Sequence, residues 1–150
     1  MINYYQIQSD IKAIIQGGTY TDSIKEVLIE SMERDMGLGN MPLVNIRLTN
    51  ADISIRSLPN GYYGTVLYAI DIVTFDLSLY EKAAIIRDRI LKEVQSRLQS
   101  NRQFSAGVET SIVGPRVEFS AGMVEENDIQ RGHIASATFD LIVEVYIEPA

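Results

Sequence analysis

The stretch Thr65-Val-Leu-Tyr-Ala-Ile-Asp-Ile-Val-Thr-Phe-Asp-Leu77, followed by Ser78-Leu-Tyr-Glu81 and a helical pattern through Leu98, decides the fold. Its first part is a long apolar run, rich in the β-branched and aromatic residues that favour strands. Ser78 and Glu81 have the spacing of a capping box, in which each side chain accepts from the other residue's backbone N–H. A strand that leads into a helix packed on its own sheet predicts an α+β domain.

The helix predicted from Ser78 to Leu98 is amphipathic. Its apolar residues recur at spacings of three and four, which predicts one buried stripe made of Ala83, Ile86, Ile90, Val94 and Leu98. Polar residues occupy the remaining positions and are expected to face solvent. Asp88–Lys92 and Glu93–Arg97 are spaced as i,i+4 ion pairs in the favourable order.

The composition excludes several kinds of site. A chain of 150 residues is expected to form one domain, residues 1–150, and it has no cysteine for a disulfide, a zinc site or a thiol nucleophile. Its single histidine, His133, cannot build a multi-histidine metal site. We therefore predict no metal and no cofactor.

Net charge and hydropathy limit the kinds of partner that the chain is expected to have. The net charge of −7 argues against a protein that grips nucleic acid by neutralising phosphates, although it is compatible with one that lets nucleic acid slide past. The N-terminus lacks the pattern of a signal peptide, and no apolar run approaches the roughly 18 residues of a membrane span. These features predict a soluble protein that is made and used inside a cell.

The part of the chain before the central strand predicts one helix and several strands. Residues 2–16 are predicted to form a helix with one apolar stripe, which Gly17-Gly18 ends as a left-handed glycine cap. Residues 22–36 fit either a helix or a strand. Two strands are predicted over 43–48 and 53–58, joined by a turn at 50–52, and Pro59-Asn-Gly61 is a tight-turn signal.

The part after the central helix predicts strands alone. A strand over 107–113 is closed by Gly114-Pro115, and 116–124 alternates with Val117, Phe119, Ala121 and Met123 on one face. A charged loop over 125–132 precedes a long alternating strand over 134–148. Two helices and five to seven strands, with the strands in runs, predict an α+β fold whose mainly antiparallel sheet is packed by two helices.

Catalytic patterns are scarce. His133 has Asp128 and Ser136 near it in sequence, but a histidine at a strand start is more often an edge residue. Glu125, Glu126 and Asp128 lack the spacing of a calcium loop and are interpreted as a solvated acidic loop. Asp71 and Asp76 are an odd number of residues apart, so they face opposite sides of a strand and cannot act on one substrate. We expect Asp71, among apolar residues, to be paired or on an open face.

The adjacent tyrosines Tyr62 and Tyr63 have two interpretations. In an extended chain, one points into the core and the other points out, or the pair forms an aromatic contact with a partner. Together with the scarcity of reactive groups, the pattern favours an assembly subunit over an enzyme.

The organisation of the chain resembles the tail terminator (tail completion, head-to-tail joining) proteins of long-tailed bacteriophages. The resemblance is carried by Gly17-Gly18, by Met41-Pro42-Leu-Val-Asn-Ile46, by the strand Tyr68–Phe75 with its helix, and by Ala137-Thr-Phe-Asp-Leu-Ile-Val-Glu-Val-Tyr146. It covers nearly the whole chain. In that family the segment after the first helix is extended, which favours a strand over residues 24–32.

The resemblance implies a homohexameric ring of the virion, assembled in the host cytoplasm. Such a ring sits on the last ring of tail tube protein, ends polymerisation, and offers a surface to the head–tail connector protein while DNA passes through its lumen without specific binding. Loops 49–64 and 125–133 are the implied tube- and head-facing contacts, with Tyr62, Tyr63, Glu125, Glu126, Asp128 and Arg131 as candidate subunit or partner contacts.

The closing strand offers candidates for the wall of that lumen. Asp140, Glu144 and Glu148 lie on its mixed face, where an acidic wall would repel the phosphates of passing DNA. Three alternatives stay open: another neck or connector component, a tail tube subunit, or a small ferredoxin-like enzyme or ligand-binding domain.

Overall fold

The computed structural model describes residues 2–30, 41–57, 60–104, 107–126 and 129–147. In chain order, these contain α1 (Tyr4–Gln16), β1 (Glu26–Ile29), β2 (Leu43–Ser57), β3 (Asn60–Asp76), α2 (Tyr80–Gln99), β4 (Val108–Glu126) and β5 (Ile129–Ile147). The strands form one sheet in the order β1-β2-β3-β5-β4, in which only the β1–β2 pair is parallel. The predicted α+β fold, a mainly antiparallel sheet packed by two helices, is confirmed.

Both helices pack on the same face of the sheet. The core consists of alternate strand residues, such as Ile70 and Ile72 of β3 and Phe139 and Leu141 of β5, together with residues of both helices. The predicted stripe of α2 is confirmed with Ile86 half-buried, whereas the burial of Arg87 and Leu91 was not predicted. No helix in the described part of the chain is long and apolar enough to cross a membrane.

The strands are longer than the sequence pattern predicts. The turn expected at 50–52 is wrong, because β2 runs through it with a shift of register between Leu48 and Asn50. The break expected at Gly114-Pro115 is also wrong, since β4 continues past it with a shift between Val113 and Val117. A bulge absorbs an irregular segment without ending a strand, and a proline is tolerated on an edge strand because no neighbour needs its N–H.

Of two further predictions, the charged loop before β5 is wrong and the strand after α1 is confirmed. The charged loop expected over 125–132 is wrong, because β4 reaches Glu126 and β5 already begins at Ile129, while residues 127–128 lie outside the described residues. The strand interpretation of the segment after α1 is confirmed by β1, with residues 31–36 outside the described residues. The Pro59 turn also lies partly outside them.

The capping box predicted at the start of α2 is wrong. The N-cap is Leu79, which makes no side-chain capping bond, and α2 begins at Tyr80. The carboxylate of Asp76 instead orders the turn that precedes the helix, since its Oδ2 accepts from the backbone N–H groups of Ser78 (3.0 Å) and Leu79 (2.8 Å) and from the Ser78 hydroxyl (3.1 Å). An acidic side chain at the last strand position therefore organises the turn into the helix.

Two smaller predictions about the helices are also wrong. Gly17 follows α1 in the right-handed region, with φ of −78°, so it is not a left-handed cap. The expected i,i+4 pairs are replaced by other contacts: Asp88 accepts from its neighbour Arg87, Glu93 accepts from the N–H and hydroxyl of Thr21, and Arg97 donates to the carbonyl of Ile14. The bonds of Glu93 and Arg97 tie α2 to α1 and to the connection after α1. An i,i+4 pair contributes only a few tenths of a kcal/mol, so its loss costs little.

The role of Asp76 predicts a pH dependence of stability. The backbone N–H groups of Leu79 and Ser78 lower the pKa of the Asp76 carboxyl below its ordinary value. A carboxyl whose pKa is lower in the folded state stabilises the fold above its unfolded pKa, about 3.9, and that contribution is lost as the pH falls through the folded pKa. We expect Asp76→Ala to be less stable than wild type at pH 7, with a difference that shrinks below about pH 4.

Urea unfolding followed by circular dichroism at pH 7 and pH 3 measures this difference. Glu81→Ala is the matched control. Glu81 is also a carboxylate at the start of α2, but the capping box predicted for it does not form. An Asp76→Ala variant as stable as wild type at pH 7, or a larger loss in Glu81→Ala, would contradict the assignment.

Candidate functional site

The candidate site is the face of the sheet opposite the helices, here called the open face. The strand registers place on it alternate residues such as Ala69 and Asp71 of β3 and Thr138 and Asp140 of β5. Most of these side chains are half-buried by one another rather than by a second layer. Among the described residues, both helices lie on the other side, so this face is the broad surface of the fold that is left for a partner or for solvent.

An ion-pair network organises the middle of the open face. The Asp71 carboxylate accepts from Arg47 Nε at 2.6 Å and Nη2 at 2.9 Å, from Thr138 Oγ1 at 2.7 Å and, weakly, from Asn45 Nδ2 at 3.5 Å. The hydrogen bond to Asp71 raises the pKa of the Arg47 guanidinium. These bonds join β2, β3 and β5. They confirm the prediction that Asp71 is paired or on an open face, and in this structure it is both.

The open face is acidic. Of the side chains that the structure describes there, carboxylates outnumber guanidinium groups: Glu26, Asp52, Asp71, Glu118, Asp140 and Glu144 against Arg47 and Arg116. A pocket of 220 Å³ lies between Arg47, Arg116, Glu118 and Asp140. Groups of three or more metal-binding side chains were not found in the described ranges.

Asp140 and Glu144, predicted for a lumen wall, both lie on the open face. Asp140 pairs with Ala69 and Glu144 with Thr65, and both side chains are half-buried. Four residues separate them, or about 13 Å along the strand. Both side chains therefore lie on the face of the sheet that the helices leave uncovered. The third predicted residue, Glu148, lies outside the described residues.

The structure places the two predicted contact segments at opposite ends of the sheet. β2 and β3 are joined beyond the pair Ser57–Asn60, whereas β4 and β5 are joined beyond the pair Glu126–Ile129. Because β3 and β5 are antiparallel, with Tyr62 opposite Ile147, these two connections lie at the two ends of the strand direction. Both segments are hairpin strands rather than the loops that the sequence suggested.

The predicted contact residues fall on these hairpins. Tyr63 is half-buried on the open face beside Ser54 and Tyr146. The backbones of Glu125, Glu126 and Arg131 belong to β4 and β5, and the side chains of these residues and of Tyr62 are outside the description. Asp128 lies outside the described residues.

Sequence reasoning missed the cluster around Arg87. The Arg87 side chain is nearly buried on α2, donates to Asp88 and to the Tyr80 hydroxyl, and lies 4.8 Å from the ring centroid of Phe119. Its guanidinium therefore contacts Phe119 of β4, a residue far from it in sequence. Helical periodicity places Arg87 next to the apolar stripe of Ile86 and Ile90. Its contact with Phe119 depends on the packing of α2 against β4, which the sequence pattern does not show.

A likeness to solved structures was found. One chain, from the "Virion of native gene transfer agent (GTA) particle", is 15% identical with a TM-score of 0.42, covering 97% of this chain and 91% of that chain. A match of this size does not assign a function. No protein-family model matches the chain, and the search of curated proteins found no match either.

Proposed function

We propose that this chain is a structural subunit of a phage-like virion, a tail terminator that forms a ring on the end of the tail tube. The observation that carries the proposal is the combination of two hairpin connections at opposite ends of one sheet with an acidic face between them. A subunit that joins two different neighbours along one axis needs contact surfaces at both ends. The sequence resemblance to tail terminators points to the same role.

The charge of the open face supports a position facing DNA. A channel lined by carboxylates repels phosphates, so DNA passes without the counterion release that drives tight binding. In this proposal Asp140 and Glu144 face the lumen and the helices lie outside. Arg47 is held by Asp71, which limits its availability to phosphate.

Imaging and mass measurement of the purified full chain test the proposal. We expect negative-stain images to show rings, native mass spectrometry to give a closed oligomer, hexameric in this proposal, and added tube rings to be capped at one end. Long tubes formed by this chain alone would assign it as a tube subunit instead. A monomer at all concentrations that neither forms rings nor binds tube ends would contradict the proposal.

The lumen assignment has its own test. Asp140→Lys combined with Glu144→Lys is expected to keep the ring and to give it measurable, salt-sensitive retention of double-stranded DNA. Asp10→Lys combined with Glu81→Lys is the matched control, because it makes the same change of charge on the helix side, where both residues lie in helices. Equal retention by the two variants would refute the position of the open face in the channel.

A further inference from the structure

Two guanidinium groups border the pocket of 220 Å³ on the open face. Arg47 on β2 and Arg116 on β4 both line it. The register places Arg47, Ala69 and Asp140 in one row across β2, β3 and β5, so the small side chain of Ala69 leaves room between the two arginines. Arginine binds phosphate well, because its planar group offers parallel N–H donors. The pocket therefore has the donors of a phosphate site.

A carboxylate occupies the donors of the first arginine. Arg47 Nε and Nη2 donate to the two carboxylate oxygens of Asp71, at 2.6 Å and 2.9 Å. A phosphate accepts two parallel N–H bonds from an arginine in the same way. Asp71 thus takes the donors that a phosphate needs from Arg47, and the two anions compete for one guanidinium group.

Asp71 is fixed in this position. Its side chain is only 14% exposed, and the Thr138 hydroxyl donates to its Oδ1 at 2.7 Å. The Arg47 side chain is 42% exposed, so it is the member of the pair that can turn toward solvent. Because the two residues lie on paired strands, the carboxylate is always close to Arg47, and an external phosphate has to displace it.

The second arginine is held less firmly. Arg116 pairs with Glu118 at 3.1 Å, but both side chains are largely exposed, and such pairs contribute little. Asp140 also lines the pocket. Counting Asp71, the pocket has two guanidinium groups against three carboxylates, a balance that repels an anion. Loss of the Asp71 charge makes the numbers equal and releases Arg47.

We propose that the pocket between Arg47 and Arg116 is a phosphate site that Asp71 keeps closed. The ligand is a phosphate of the DNA backbone, and Asp71 is a positioning residue, because it holds Arg47 away from that phosphate. DNA then moves along the open face without being gripped, although guanidinium groups are present there. The presence of DNA beside this face rests on the proposed function, whereas the competition between Asp71 and phosphate for Arg47 does not.

Asp71→Asn is expected to open the site. The amide has nearly the shape of the carboxylate but no charge, so Arg47 loses its ion pair. We expect the full chain with this substitution to bind a short DNA duplex at low salt about tenfold more tightly than wild type, with a steeper dependence on salt. Fluorescence anisotropy of the labelled duplex measures both, whatever the oligomeric state of the chain.

Glu144→Gln is the matched control. It removes one carboxylate from the same face, but Glu144 pairs with Thr65 and Thr110 and lies away from Arg47. Circular dichroism checks that both variants fold. An equal gain in affinity from Asp71→Asn and Glu144→Gln would mean that net charge alone governs binding, and it would refute the closed site.

Two further variants identify the group that is released. Asp71→Asn combined with Arg47→Gln is expected to return to the wild-type affinity, and a gain that persists without Arg47 overturns the site. Thr138→Val leaves every charge in place and removes a bond that fixes Asp71, so it also serves where Asp71→Asn does not fold. We expect it to raise the affinity about threefold, and no gain would overturn the role of Asp71.

The outcomes separate this site from the proposed function. Rings in which Asp71→Asn binds DNA no better than wild type overturn the phosphate site and leave the proposed function standing. A chain that forms no ring, yet binds DNA through Arg47 once Asp71 is replaced, contradicts the proposed function and supports the site.

Discussion

Replacing Gly64 by alanine is expected to destabilise the protein by about 3 kcal/mol, the largest effect predicted for a single methyl group in this chain. Gly64 lies in β3 opposite Ile53 of β2. A Cβ at this position would collide with the backbone carbonyl oxygen of Asp52 and would lie 2.8 Å from both Cα and Cδ1 of Ile53. Since two of these atoms belong to the backbone of a paired strand, a side-chain rotation cannot relieve the collision.

Gly122→Ala is the matched control for that substitution. Gly122 is also a glycine within a strand, but a Cβ there would meet nothing within 4 Å. Its replacement is expected to change the free energy of unfolding by about 0.5 kcal/mol or less. Urea denaturation of the two variants makes the comparison, and equal stability of Gly64→Ala and Gly122→Ala would show that β2 does not approach β3 as described.

Replacing Asp71 by alanine is expected to cost about 2 kcal/mol, the next largest effect. The substitution removes a carboxylate that accepts from Arg47 on β2 and from Thr138 on β5. Bonds to a charged group are stronger than neutral ones, and the Asp71 side chain is only 14% exposed. Because the Arg47 side chain is 42% exposed and can turn to water, the loss is smaller than that for a fully buried pair.

Glu118→Ala provides the comparison on the same face of the sheet. Glu118 pairs with Arg116 at 3.1 Å, but the two side chains are 68% and 82% exposed. Exposed pairs contribute little, so we expect a loss of about 0.5 kcal/mol or less. Chemical denaturation at low and high salt measures both variants. If the two losses are alike, the Asp71 network does not join the three strands as proposed.

Local patterns predicted the elements of this fold better than their ends. Alternation over 134–148 and helical spacing over Ala83–Leu98 predicted which residues of β5 and α2 are buried, because the periods of strands and helices follow from backbone geometry. The predicted strand break at Gly114-Pro115 and the predicted helix cap at Ser78–Glu81 were both wrong. A bulge on an edge strand accommodates Gly114-Pro115, and the carboxylate of Asp76, rather than the Ser78–Glu81 box, orders the turn before α2.

The candidate site was predicted only where it depends on positions within a single strand. That Asp71 needs a partner, and that Asp140 and Glu144 share a face, follow from their positions within single strands. That the partner of Asp71 is Arg47 depends on the register between β2 and β3, which no local pattern encodes. The exposure of Phe119 likewise depends on the packing of the helices, because strand alternation predicts only that it shares a face with Val117, Ala121 and Met123.

The sequence by itself determined the α+β class, the amphipathic helix after the central strand, and the apolar and mixed faces of the closing strand. Only the tertiary structure decided the strand order β1-β2-β3-β5-β4, because pairing partners are chosen by contacts between residues far apart in sequence. That order makes β1 and β4 the two edges. It sets Phe119 and Val27 at the two ends of one row, and it makes the stretch Thr65–Asp76 part of a central strand bonded to neighbours on both sides.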